Sequence, residues 1–141
     1  MNADRAFDIR SLRGCFDGAV PPVIATCSPD GTPHATYLSQ LTLVDDDHVA
    51  LSNQFWSRTT ANLEDNPRAS VLVTDSQTYE TYRLTLVFER RETDGPTFEQ
   101  LRLSIDAIAK MMGMEEIFKL RSADVYRAEG CERVAGPSQP R

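Results

Sequence analysis

Apolar residues in this chain fall in short alternating runs between turn-forming clusters, and one stretch holds a helical period over several turns. Across 81–90, Tyr82, Leu84, Leu86 and Phe88 share one side, while Thr81, Arg83, Thr85, Val87 and Glu89 share the other. That two-residue period predicts a half-buried strand. Further strands are expected at 23–26, about 35–44, 48–53, 69–74 and 123–128. In Ser28-Pro29-Asp30-Gly31-Thr32-Pro33, proline presets φ, aspartate bonds locally and glycine accepts positive φ, so the first two strands should form a hairpin.

Helical signals are fewer. Phe7, Ile9, Leu12 and Phe16 suit a short amphipathic helix over 6–16, which Gly18, Pro21 and Pro22 then stop. A short helix over 58–65 ends at Asn66-Pro67, because proline disfavours α geometry in the residue before it. Phe98, Leu101, Ile105, Ile108 and Met112 step by 3, 4, 3 and 4 along a long helix over 97–112, and Gly113 suits its C-terminal cap. A further helical turn is expected within 115–120. Asp45-Asp46-Asp47 reads as a solvated hairpin tip, since the alternating ligands, central glycine and final glutamate of a calcium loop are missing. Hairpins dominate, and no βαβ run points to a parallel sheet. One long helix cannot cover both faces of such a sheet, so closure into a small barrel is the natural solution.

Composition narrows the function classes. The 141 residues suit one domain large enough for a core without covalent staples. A net charge of −6 without a basic run argues against nucleic acid as a partner. No apolar stretch approaches a membrane span and no secretory leader opens the sequence, so the expected location is the cytoplasm. Cys15, Cys27 and Cys131 are odd in number and widely spaced, which fits reduced structural thiols better than zinc or a disulfide framework. His34 and His48 are too few for a metal centre without carboxylates from elsewhere. The final residues, 135–141, have the Gly-Pro-Ser-Gln-Pro composition of a flexible tail or linker, leaving 1–134 as the domain.

The densest chemistry lies in Ser52-Asn53-Gln54-Phe55-Trp56-Ser57-Arg58-Thr59-Thr60-Ala61-Asn62-Leu63, a strand end running into the short helix. With Ser57 as N-cap, its side chain would accept from the amide of Thr59 or Thr60. The remaining first-turn N–H groups and the Arg58 fork would then face an anion. The same residues also suit an ordinary N-cap followed by a solvated arginine. No dinucleotide or P-loop glycine motif is present.

Taken in order, several segments resemble the pyridoxamine 5'-phosphate oxidase-like family. These are Val23-Ile24-Ala25-Thr26-Cys27-Ser28-Pro29-Asp30-Gly31-Thr32-Pro33-His34, then Val49-Ala50-Leu51-Ser52-Asn53, Ser57-Arg58, Asn62-Leu63 and Asn66-Pro67-Arg68-Ala69. The likeness covers 20–75 well and 80–128 through the order of elements. It implies a mainly β fold with α elements, a six-stranded antiparallel split β-barrel with flanking helices. It also implies a homodimer holding FMN in clefts between its subunits. By the same resemblance Leu51, Ser52 and Asn53 lie on the strand that meets the cofactor, with Ser57 and Arg58 as the phosphate pair beside Thr59. Thr36, Tyr37, Leu38 and Ser39 would line the ring or the ribityl chain.

Departures from the pattern narrow the implied activity. Thr59 stands where the oxidase usually has lysine, and His34, Thr36 and Gln40 replace its basic second-strand residues. Near Cys131-Glu132-Arg133-Val134 there is no counterpart of the oxidase's C-terminal substrate segment. The chain looks more like small bacterial relatives of unassigned substrate, some of them fused to GAF domains. The implied function is an FMN-dependent oxidoreductase with a small-molecule substrate or nicotinamide reductant. Its rival is a non-catalytic binding or sensory module, with FAD, a deazaflavin or haem as alternative cofactors. Tyr37, Trp56, Tyr79 and Tyr82 suit ring stacking or plain packing, Arg83 is a candidate for an anionic substrate, and Phe55 and Trp56 suit an intersubunit contact.

Overall fold

A computed structural model describes residues 7–17, 19–54, 57–115 and 119–137. After a 3-10 helix, Ile9–Cys15, come β1 (Val23–Cys27), β2 (Pro33–Tyr37), β3 (Leu41–Leu43) and β4 (His48–Asn53). Helix α1 (Arg58–Asp65), β5 (Arg68–Thr74), β6 (Thr81–Glu92), α2 (Gly95–Met112) and β7 (Ser122–Ala135) complete the order. All pairings are antiparallel, in the order β2-β1-β5-β6-β7-β4-β3. The expected antiparallel split barrel is therefore present, with seven strands in place of six.

The extra strand comes from a break in the segment expected at 35–44. β2 pairs with β1, and β3 pairs with β4 at the far edge of the sheet. Between them the chain changes neighbours without losing its hydrogen bonds. The Leu38 amide donates to Pro22 O at 3.0 Å, the Gln40 amide to Ser52 Oγ at 3.0 Å, and the Ser52 amide to Gln40 O at 3.0 Å. Counted as one interrupted strand, β2 and β3 restore the six.

Two other elements differ from the periodicity. The first helix is 3-10, and its buried residues Ile9, Leu12 and Cys15 recur every third position, the repeat that aligns side chains in that geometry. Asp8 caps it by accepting from the Arg10 amide at 3.0 Å. The last strand is not confined to 123–128 but runs over Ser122–Ala135. Thr85 pairs with Gly130 and Leu86 with Ala128, so Glu129 is the additional residue of a β-bulge. That bulge shifts the alternation by one position and hides the second half of the strand from a period-two reading. Strand structure thus continues to Ala135, the first residue of the expected tail.

Other elements follow local chemistry. Gly31 takes φ 90°, the Ser28 amide donates to Thr32 O, and Asp30 accepts from both the Ser28 hydroxyl and the Thr32 amide. Gly113 closes α2 at φ 67°. Asp45 closes its turn by accepting from the Asp47 amide and His48 Nδ1, each at 2.8 Å. The core joins the 3-10 helix to the inner sheet face through Ile9, Leu12, Ile24, Val71, Leu84 and Leu86, with Tyr126 fully buried edge-on to Phe88. A smaller cluster seats Leu101 of α2 against Ala50, Ala123 and Val125. Among the described residues no helix is long and apolar enough to cross a membrane. The three cysteines are free thiols. The helical turn expected within 115–120 falls largely on 116–118, and the proposed contacts of Phe55 and Trp56 fall on 55–56; both lie outside the described residues, as do 138–141.

Candidate functional site

α1 and the end of β4 are joined from below by buried side chains. Asn62 of α1 donates through Nδ2 to Thr26 Oγ1 of β1 at 3.0 Å. At the other end, Asn53 Nδ2 donates to Thr60 Oγ1 at 3.3 Å and to Asp124 Oδ2 at 3.1 Å. The helix is thereby pinned to β1 at its middle and to β4 at its first turn. Its N-terminus faces a pocket of about 730 Å³, a size typical of cofactor and small-molecule sites.

Three walls enclose the pocket. The β2 side contributes Pro21, His34, Thr36, Tyr37, Leu38 and Ser39. The β4–α1 junction contributes Ser52, Gln54, Ser57, Arg58 and Thr59, and α2 adds Ile108 and Met112. None of these described lining residues is a carboxylate, although the chain carries a net charge of −6. The electrostatic character of the pocket is therefore set by the Arg58 guanidinium and by neutral donors.

Buried polar atoms carry the most chemical information. Gln54 is 5 % exposed and Thr59 1 %, yet Gln54 Nε2 and Thr59 Oγ1 have no hydrogen-bond partner. Leaving such groups unmet costs about 1–3 kcal/mol each. Both residues line the pocket beside Arg58, with these two unmet atoms lying just beneath its surface. Ser57 differs from the sequence expectation. It lies in α-type conformation, φ −116° and ψ −53°, and its side chain makes no capping bond. The usual cap needs an extended backbone to turn the hydroxyl back onto the helix amides. Here the hydroxyl does not compete for those amides, which keep the anion-binding character of a helix start.

Of the residues expected at the site, Thr36, Tyr37, Leu38, Ser39, Ser52, Ser57, Arg58 and Thr59 line the pocket. Leu51 and Asn53 do not; the first is packed in the core and the second faces Asp124. Ser52 lines the pocket while its Oγ accepts the Gln40 amide, so its hydroxyl proton is what it can offer to a ligand. Gln54, Ile108 and Met112 are site residues that sequence reasoning misses. Gln54 is detectable as an amide directly between the strand end and the helix. The helical period places Ile108 and Met112 on the core stripe of α2, where Leu101, Ile105 and Ala109 are the buried positions instead. Arg83 is committed to Glu132, its cross-strand neighbour, and is not in the pocket. His48 is held by Asp45 and Glu89, and no metal-binding cluster occurs among the described residues.

An antiparallel split barrel with a donor-rich pocket at a helix start is one class of cofactor-binding architecture, and sequence comparison agrees. The family described as pyridoxamine 5'-phosphate oxidase matches residues 12–128, and the chain belongs to that family. No curated protein matches the sequence. Solved structures share the fold. An FMN-binding protein from Syntrophomonas wolfei subsp. wolfei superposes with a TM-score of 0.73 at 16 % identity, covering 91 % of this chain and 88 % of its own. An F420 reductase gives a TM-score of 0.59 at 14 % identity, covering 85 % and 94 %. A protein related to general stress protein 26, from Clostridium acetobutylicum, gives 0.59 at 16 % identity, covering 89 % and 86 %.

Proposed function

We propose that the pocket holds FMN and that the protein is a flavin-dependent oxidoreductase acting on a small molecule other than pyridoxamine 5'-phosphate. The observation that carries this reading is the pair of buried, unpartnered donors, Gln54 Nε2 and Thr59 Oγ1, beside Arg58 at the start of α1. A phosphate seated there would accept from Arg58 directly and from Gln54 and Thr59 once their side chains turn toward it, and charge-assisted hydrogen bonds are the strong ones. The Ser57 hydroxyl is a fourth donor. Along β2, Thr36 and Ser39 suit a polyhydroxyl chain, while Leu38, Ile108 and Met112 give apolar surface for a flat ring system. A bound flavin supplies hydride or electron transfer, and the protein supplies position, water exclusion and electrostatics.

His34 is the one imidazole among the described lining residues, a side chain that can both donate and accept hydrogen bonds to a ring nitrogen or carbonyl. A second copy of the chain is the expected partner. β2 is an edge strand in the sheet, Tyr37 is 71 % exposed on it, and Met112 at the pocket is 58 % exposed. A neighbouring subunit would cover both and close the pocket mouth.

Titration of the purified protein with FMN, FAD, riboflavin and F420, followed by absorbance and fluorescence, tests the cofactor. Tight binding of FMN over riboflavin is the expected result, with bleaching on addition of NADH or NADPH. The deazaflavin is the second reading, because an F420 reductase shares the fold. Preference for F420 over FMN would replace the first reading by the second. Binding of FMN without reduction by any nicotinamide would instead favour a sensory module.

A further inference from the structure

Asp124 is fully buried in β7, and its carboxylate is enclosed by donors from three other positions. Ser122 Oγ donates to Oδ1 at 2.7 Å, and Arg91 Nε to the same oxygen at 3.1 Å. Arg91 Nη2 and Asn53 Nδ2 donate to Oδ2 at 3.4 and 3.1 Å. Arg91 also lies over the Phe88 ring, 5.5 Å from its centroid, which steadies the guanidinium. A carboxylate accepts and cannot donate, so it dictates which end of the Asn53 amide faces it. The Asn53 nitrogen is thereby aimed at the one point from which it also reaches Thr60, in the first turn of α1. Asn53 Oδ1 has no partner of its own, and of the two groups that meet the amide nitrogen only the carboxylate cannot also donate, so Asp124 sets the orientation.

We infer that Asp124 is a positioning residue for the anion seat: it orients Asn53, and Asn53 anchors the first turn of α1 at Thr60. Thr59 and Arg58, the donors beside Thr60, are held in place by that anchor. The middle of the helix has an independent tie, Asn62 to Thr26, so its first turn and its second half can be told apart by experiment. The functional part of this inference rests on the phosphate reading above; the link from Asp124 to the helix does not.

Amide hydrogen exchange on the ligand-free protein tests the link. The reporters are the amides of Ala61, bonded to Ser57 O, and Asn66, bonded to Asn62 O. In Asp124→Ala, Ala61 exchanges at least tenfold faster and Asn66 at its wild-type rate. Asp124→Asn restores Ala61, because Asn53 can turn its amide and accept from the introduced side-chain nitrogen in place of donating, with the Thr60 hydroxyl donating to the same oxygen. Thr60→Val removes the anchor without touching the buried carboxylate, so it reproduces the Ala61 effect even if Asp124→Ala does not fold. Equal acceleration of Ala61 and Asn66, or unchanged Ala61 in Thr60→Val, overturns the inference. FMN affinity then tests the function: on the order of tenfold loss in Thr60→Val with riboflavin unaffected. Faster Ala61 exchange with equal loss of both ligands upholds the link and overturns the phosphate seat.

Discussion

Asn62 reaches from α1 to donate to the Thr26 hydroxyl of β1 at 3.0 Å, with both side chains at most 5 % exposed. The bond docks the helix that carries the pocket's donors. Asn62→Ala should destabilise the protein by about 1–3 kcal/mol, since Thr26 Oγ1 loses its donor in a site with little access to water. Thr26→Val should be milder, because the methyl replaces the hydroxyl isosterically while only the Asn62 amide is left to find another partner. Urea unfolding of the two variants checks the ranking, and a larger loss for Thr26→Val would contradict it.

Gln54 offers a separation of function from stability. Its Nε2 is buried and unpartnered, so Gln54→Leu removes an unmet donor and should leave the ligand-free protein as stable as wild type or more so. The same change should weaken FMN binding several-fold. Arg58→Ala should weaken it by about tenfold or more, with little effect on riboflavin, through loss of a charge-assisted contact. Parallel thermal melts and flavin titrations read both quantities. A Gln54→Leu protein that loses stability but keeps its FMN affinity would show that the amide serves the fold alone.

Alkaline stability should depend on Cys15. Burial first, and then the nearby Asp75, Cys131 and Asp17, push its thiol from an ordinary 9.0 up to about 11. The folded state therefore retains the proton over a range in which the unfolded chain has lost it. The contribution is fully present below pH 9.0 and is lost as pH rises through about 11. Denaturant unfolding between these values should show a smaller fall in stability for Cys15→Ala than for wild type. Burial also raises the thiol of Cys131 and the phenol of Tyr126, so some slope will remain. At about pH 8 Cys15 should react slowly with thiol reagents, because the thiolate is the nucleophile.

Light scattering should find a dimer, and Tyr37→Asp should shift it toward monomer. A monomeric wild-type protein that still binds FMN tightly would show that one chain is sufficient for the site.

Local signals are legible in the sequence and distant ones are not. The turn from Ser28 to Thr32 and the bounds of α1 follow from residues within a few positions of each other, so the sequence carries them plainly. The break at 38–40 depends on Pro22 and Ser52, which become neighbours only in the folded sheet. The bulge at Glu129 exists relative to β6 and has no signature of its own in β7. At the site, Arg58 and its hydroxyl neighbours can be read from residue type alone. The role of Asn53 cannot, because Asp124 lies 71 residues away. Residue type also suggests a capping role for Ser57 that its backbone does not support.

The sheet order has a consequence for synthesis. β4 pairs with β3 and β7, and β7 also closes onto β6, so the strand that ends at the pocket stays an open edge until Ser122–Ala135 arrives. Contacts this distant along the chain form late and slowly. A nascent chain lacking β7 has no Asp124 to orient Asn53, and it leaves Ala50 and Leu51 paired on the β3 side alone. If the pocket is the proposed flavin site, cofactor capture waits until translation has passed the last strand, and a ribosome-bound intermediate should take up ligand only after that strand clears the exit tunnel.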